Sequence, residues 1–153
     1  MNDDAYTDPD TGVLRNLLGI TDKDELESAE RLYSSQRASE GVPHGDFDLK
    51  HLQAIHRHLF QDIYDWAGEV RQIEISKDGH QFQFSKYIET GMADVHRRVR
   101  KADYFRGAAP DAFARGAAEI IGDVNYVHPF REGNGRTQRE YLKQLAERAG
   151  YRL

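Results

Sequence analysis

The chemistry-bearing residues of this chain crowd into one stretch, His128-Pro129-Phe130-Arg131-Glu132-Gly133-Asn134-Gly135-Arg136-Thr137-Gln138-Arg139. His128 is a candidate base near neutral pH, held by the proline that follows it. Glu132 is a carboxylate at the head of a turn, where a hard cation such as Mg²⁺ can be shared with phosphate oxygens. Gly133, Asn134 and Gly135 lead into a helical pattern. The first N–H groups of a helix lack intrahelical acceptors and sit at the positive end of its dipole, so this turn is an anion site. Gly133 and Gly135 can adopt positive φ and let a phosphate come close to the backbone. Arg136 and Arg139 are three apart, share a helix face and can clamp the same anion. Taken singly, Gly-Asn-Gly is ordinarily a turn and a lone histidine ordinarily structural. Crowded into twelve residues, the parts read as a site that handles a polyphosphate.

Two helical patterns must hold this stretch. Phe113, Ala117, Ile120, Ile121, Val124 and Val127 recur at helical spacing and run into it. Ala114, Gly116, Ala117 and Ala118 suit a central, closely packed helix. Asn125 lies one turn before His128 on the same face and can reach into the site. After the stretch, Tyr141, Leu142, Leu145 and Ala149 define a last helix that Gly150 closes.

Three further helices are expected upstream. Thr21 reads as an N-cap before Asp22, Asp24 and Glu25, with Leu26, Ala29, Leu32 and Tyr33 as the apolar stripe, and the helix should run to about Ser39. Asp48 caps a second, with Leu49, Leu52, Ile55, His56 and Leu59 on its buried face. Ser85 caps a third, carrying Ile88, Met92, Val95 and Val99. Its far side holds Arg97, Arg98, Arg100 and Lys101, which reads as a solvated face. Residues 1–12 read as an irregular lead-in, and Val13, Leu14, Leu17, Leu18 and Ile20 as one or two helical turns. Trp66 reads as a core anchor. His51, His56 and His58 do not make a metal site, because positions 56 and 58 point about 200° apart on a helix.

The period changes between 69 and 84. Val70, Ile73 and Ile75 lead to Ser76-Lys77-Asp78-Gly79-His80, and Phe82 and Phe84 then alternate with glutamines. Asp-Gly between alternating runs predicts a β-hairpin over about 70–84.

Composition sets the bounds. A chain of 153 residues, 39% hydrophobic and 31% charged, can build one domain with a real core. There is no apolar run of membrane-spanning length, and Met1-Asn2-Asp3-Asp4 is acidic, unlike a signal peptide. The chain has no cysteine, which excludes disulfides and thiol chemistry and fits the cytoplasm. A net charge of −5 does not favour direct, non-specific nucleic-acid binding.

The stretch 128–139 resembles the signature of the Fic family, His-Pro-Phe-x-(Asp/Glu)-Gly-Asn-Gly-Arg-x-x-Arg, at every fixed position, with Glu132 in the acidic slot. Val13-Leu14-Arg15-Asn16, Leu49 to Phe60, Asp65 to Arg71 and Ile75-Ser76-Lys77 also look like Fic core segments. The resemblance implies an all-α bundle over 1–153, with two central helices flanking the signature loop and one β-hairpin flap over the nucleotide. It implies a protein adenylyltransferase moving AMP from ATP to a Tyr, Thr or Ser hydroxyl of a target protein. On that resemblance His128 is the base and Glu132 holds Mg²⁺ between the α- and β-phosphates. Gly133, Asn134 and Gly135 form the anion hole, with the Asn134 side chain assisting. Arg136 binds the β-phosphate and Arg139 the γ-phosphate. Ser76 and Lys77 of the flap flank the nucleotide, and the flap holds the target by strand addition. Phe130 should be buried beneath the loop, and Arg131, at a variable position, has no chemical part.

Many Fic proteins carry an inhibitory helix, Ser/Thr-x-x-x-Glu-(Gly/Asn), whose Glu pairs with the arginine that corresponds to Arg139. Here Glu40-Gly41 is preceded four positions earlier by Gln36, and the Thr21–Glu25 spacing is followed by Leu26. Little chain follows Arg139. The expectation is therefore no built-in inhibitor, and a small separate antitoxin supplying the Glu in a bacterial toxin–antitoxin pair. The alternatives are the catalytic domain of a secreted effector, transfer of another nucleotide or phosphate group, and a non-catalytic nucleotide-binding regulator. The kinase-type branch of the family carries Lys where this chain has Gly135, which favours nucleotidyl transfer, and a regulator would lack His128.

Overall fold

The structure is a computed structural model and describes residues 4–153; the Met1–Asp3 part of the acidic N-terminal run lies outside the described residues. The expected all-α bundle is found. Helices α1 (Lys23–Ser39), α2 (Leu49–Phe60), α3 (Ile88–Lys101), α4 (Pro110–Val127) and α5 (Asn134–Ala149) surround a core, and strands β1 (Ser76–Lys77) and β2 (His80–Gln81) form the hairpin. Helix α2 packs on α1 and α5, and α4 packs on α3 and α5. The central pair α4 and α5 flanks the loop 128–133. Leu52, Ile55, Leu59, Val95, Val99, Val124, Tyr141 and Leu145 are among the buried residues that knit the bundle together.

Local chemistry explains the ends. Asp48 caps α2, its carboxylate accepting from the His51 N–H at 3.0 Å. Pro110 opens α4 at a position that needs no N–H. Gly150, at φ 100°, closes α5 in the left-handed conformation. Helix α1 begins one residue later than its sequence suggests. Asp22, not Thr21, is the cap, because its carboxylate reaches the Glu25 N–H at 2.9 Å. Ser85 does not cap α3. It opens a 3₁₀ turn, Ser85–Tyr87, that precedes the helix, and its N–H is taken by Glu74 at 2.7 Å.

Two apolar readings fail for a shared reason: the segments are organised by polar groups. Residues 13–20 are not helical. Asn16 folds them, its amide donating to Leu14 O and Ile20 O while its oxygen accepts from Leu18 and Ile20 N–H. Leu17 and Leu18 are exposed. On α1, Leu32 is 58% exposed, and the buried residues are Leu26, Glu30 and Ser34. The apolar period misplaces this face because the side of α1 that carries Ser34 borders a polar cavity shared with Glu132, Arg136 and Arg139.

The hairpin is shorter than the expected 70–84. Its register is Ser76↔Gln81 and Lys77↔His80, closed by Asp78 and Gly79 at φ 53° and 80°, both positive as a type I′ turn requires. Phe82 N–H still reaches Ile75 O. Beyond that the ladder stops, because the carbonyls of Ile73 and Gln83 accept from the side chain of Arg71.

Candidate active site

The loop between α4 and α5 is braced from below. Phe130 is fully buried, and the Asn134 carboxamide closes the loop on it: Oδ1 accepts from Phe130 N–H (3.0 Å) and Nδ2 donates to Phe130 O (2.7 Å). Both ends of that amide are engaged, so Asn134 faces the anion site through its backbone. His56 props the loop at Glu132. Its Nε2–H donates to Glu132 O (2.8 Å), and its Nδ1 accepts from Gly68 N–H (2.8 Å). Its ring stacks on Phe130, centroids 4.0 Å apart. Burial pulls the His56 pKa down to about 4, so this strut stays neutral.

Helix α5 starts at Asn134, with Gly133 in the left-handed conformation at φ 83°. Gly135 does not need positive φ; it sits in the first helical turn. The Gly133 N–H is taken by Glu132 Oε1 (2.9 Å), whereas Thr137 N–H returns to Gly133 O. The N–H groups of Asn134, Gly135 and Arg136 have no protein acceptor among the described residues. These three, rather than 133–135, are the orphan donors of the helix. They open on a cavity of about 490 Å³ lined by Arg136, Arg139, Glu132, Ser34 and Ser35. Neither arginine has an ion-pair partner among the described residues.

A second cavity, about 480 Å³, lies beneath the flap and is lined by His128, Ser76, Lys77, Phe82 and Arg131, with Glu132 again in its wall. Glu132 thus stands between the cation-lined cavity and the histidine-lined one. Arg131 serves the fold rather than the chemistry. Its guanidinium binds Asp4 at 2.5 and 3.1 Å, tying the N-terminal segment to the loop.

His128 ends α4 in the left-handed conformation, φ 48° and ψ 64°, which is strained for a residue with a Cβ. Its N–H bonds to Val124 O and its carbonyl accepts from Arg71 Nε at 2.7 Å. Its Nδ1 lies 3.0 Å from Asn125 O. A carbonyl only accepts, so Nδ1 carries the proton and Nε2 keeps a free lone pair. Asn125 enters the site in this way, through its backbone, while its residue as a whole is exposed. Burial is the largest influence on the imidazole, and with the nearby charges of Arg71 and Lys77 it holds the pKa below the usual value of 6.5. The neutral form therefore persists below pH 6.5. If Nε2 is the base, the acidic limb of a kcat/KM–pH profile should fall below pH 6.5, activity being lost as the imidazole is protonated. A limb above 6.5 would exclude this imidazole as the group that titrates.

Beneath the loop, Glu30 of α1 is 4% exposed, and its Oε2 and the Tyr64 hydroxyl have no hydrogen-bond partner among the described residues. Burial, reinforced by the Glu132 charge, raises the Glu30 pKa to about 7. A raised carboxyl pKa penalises the folded state as pH climbs from the unfolded value of 4.5 through 7. Glu30→Gln should leave stability little changed near pH 4.5 and raise it by roughly 3 kcal/mol at pH 8. Urea unfolding at the two pH values checks this, and an equal effect at both would contradict it.

Comparison with known proteins decides the family. The Fic/DOC family profile matches residues 46–146. The chain belongs to the Fic/DOC family. It is 41% identical over 155 aligned residues to the protein adenylyltransferase VbhT of Bartonella schoenbuchensis, covering 99% of this chain and 32% of that protein. It is 42% identical to the probable protein adenylyltransferase y4lH of Sinorhizobium fredii, covering 99% of this chain and 79% of that one. The chain thus spans about a third of the first relative and about four-fifths of the second. Among solved structures, BepC of Bartonella tribocorum with bound AMPPNP superposes with a TM-score of 0.90 at 25% identity, over 95% of this chain and 78% of that one. A Fic domain from Bartonella quintana with bound ADP gives 0.87 at 26%, over 97% and 78%.

Most of the site residues named from the sequence line these two cavities, and Asn125 alone contributes through its carbonyl. The sequence does not single out His56, Arg71, Phe82 or Glu30 as parts of the site. His56 gives one signal, an ionisable ring on an otherwise apolar stripe. Arg71 gives another, a cation between a buried Trp-Ala-Gly segment and the hairpin.

Proposed function

We propose that this Fic-family chain is a protein adenylyltransferase that moves AMP from ATP to a hydroxyl side chain of another protein. The observation that carries the reading is the position of Glu132 between the two cavities: on one side Arg136 and Arg139 and three helix N–H groups, without partners among the described residues, and on the other His128, whose Nδ1–H donates to Asn125 O and leaves Nε2 to accept. A triphosphate running across Glu132 would place its α-phosphorus near His128. The names of the relatives VbhT and y4lH support the activity, and the AMPPNP and ADP in the two neighbours support the nucleotide.

In the reaction, the target hydroxyl oxygen attacks the α-phosphorus and its proton passes to His128 Nε2. The bond from the α-phosphorus to the α,β-bridging oxygen breaks, and pyrophosphate leaves. The chain's part is positioning and charge neutralisation. Orphan N–H groups of Asn134, Gly135 and Arg136 would meet phosphate oxygens; Arg136 and Arg139 would hold the β- and γ-phosphates. Glu132 fits Mg²⁺: its Oε1 already accepts from Gly133 N–H, and a single carboxylate beside phosphate oxygens is the donor set this ion uses. Bound there, Mg²⁺ would neutralise charge between the phosphates.

The open edges of the β1–β2 hairpin, carrying Ser76 and Lys77, suit a target segment added as a strand. The cavity at Arg139, walled by Ser34 and Ser35 of α1, suits an incoming carboxylate from a small antitoxin, which would block the γ-phosphate. Residues 1–153 would act as one catalytic domain in a bacterial cytoplasm; no described helix is long and apolar enough to cross a membrane. The Bartonella effector neighbours favour a second context, the catalytic part of a translocated effector acting in another cell. Mass spectrometry of proteins modified in a lysate tests the chemistry: an adduct holding adenine and one phosphorus supports it, and a bare phosphate adduct contradicts it.

A further inference from the structure

Arg71 is 2% exposed, yet its guanidinium reaches four backbone carbonyls. Nε donates to His128 O (2.7 Å), Nη1 to Ile73 O (2.7 Å), and Nη2 to Gln83 O (2.5 Å) and Val127 O (3.1 Å). Ile73 enters the flap and Gln83 leaves it. Val127 and His128 are the last carbonyls of α4, where a cation also suits the helix dipole. Gln83 N–H adds a bond to Tyr126 O. One residue before Gln83, the Phe82 ring lies flat on the His128 imidazole, centroids 3.8 Å apart and planes 7° from parallel.

The geometry points to Arg71 as a positioning residue for the transfer reaction, clamping both legs of the flap to the backbone of His128 so that Phe82 fixes the plane of the imidazole. The inference rests on the adenylyltransferase reading for its catalytic consequence, while the coupling itself is independent of it. A planar fork with fixed donors is needed; a lysine ammonium keeps the charge but cannot span carbonyls on three segments. The strained backbone of His128 is held by these outside contacts; the ring is fixed at its edge by Nδ1–H donating to Asn125 O and on its face by Phe82.

The test uses the full chain. His128 ring resonances, assigned with His128→Ala, should lie upfield because they sit over the Phe82 face. Phe82→Leu, at a half-buried position, defines the shift without stacking. Arg71→Lys is expected to lose most of the upfield shift and to lower kcat at least tenfold, with KM for ATP within threefold of wild type. Phe82→Leu is expected to lower kcat about as much, again at unchanged KM. Retention of the shift in folded Arg71→Lys overturns the coupling. Should Arg71→Lys fail to fold, Phe82→Leu decides: wild-type kcat there overturns the proposal, and a tenfold fall at constant KM supports it. If the wild type transfers no AMP, the adenylyltransferase reading fails, and the resonance shifts still report on the clamp.

Discussion

His128→Ala is expected to lower AMP transfer by roughly 10²–10⁴-fold, the range of a lost general base, while ATP affinity changes less than threefold. The asymmetry follows from the geometry. His128 lies in the cavity beneath the flap, and the cation-lined cavity with Arg136 and Arg139 is walled by other residues. The imidazole is also not needed to hold the loop, because His56 and Asn134 brace it from below. The backbone bonds to Val124 O and Arg71 do not involve the ring, so α4 should end as before. Single-turnover transfer and equilibrium ATP binding on the same preparation check the split. Loss of both together would mean that His128 binds nucleotide and is not the base.

Two alanines on either side of the start of α5 should act in opposite directions. Gly133 has φ 83°, and a Cβ there would come within 2.5 Å of the Phe60 ring, which is itself fully buried. Left-handed alanine costs about 1 kcal/mol, and forcing a methyl into a packed core a further 1–3 kcal/mol or so. Gly133→Ala should therefore lose roughly 2–4 kcal/mol of stability, and with it the entry angle of α5 and the aim of the orphan N–H groups. Gly135 has an ordinary helical φ, with nothing within 4 Å of an added Cβ. Gly135→Ala should be neutral or stabilising by about 0.5–1 kcal/mol, as alanine is in a helix. Urea denaturation of the two variants reads the difference. A similar loss in both would mean that the loop backbone is not as described.

The site is legible in the sequence to the extent that it is contiguous. A run holding a base, a carboxylate, an N-terminal helical turn and two arginines states its chemistry without long-range contacts, and the helices on either side follow from apolar spacing. Sequence reasoning places the orphan donors one residue early, because it does not reveal that Glu132 reaches back to the Gly133 N–H. It misreads helix α1 at Leu32 for a different reason. The inner face of α1 carries Glu30 and Ser34 toward the loop, so apolar periodicity no longer marks the buried side. Arg71, Phe82 and His56 act through partners dozens of residues away. Their types are common in cores and on surfaces alike, and only tertiary contact gives them a role.

The central claim is that the group transferred is the α-phosphoryl of ATP with its nucleoside. The most direct measurement incubates the purified chain and Mg²⁺ with a cell lysate and ATP labelled separately on the α- and γ-phosphates, with His128→Ala in parallel. Label entering protein from the α position alone, and absent with His128→Ala, is the predicted result. Label from the γ position would mean a kinase-like transfer and would contradict the account.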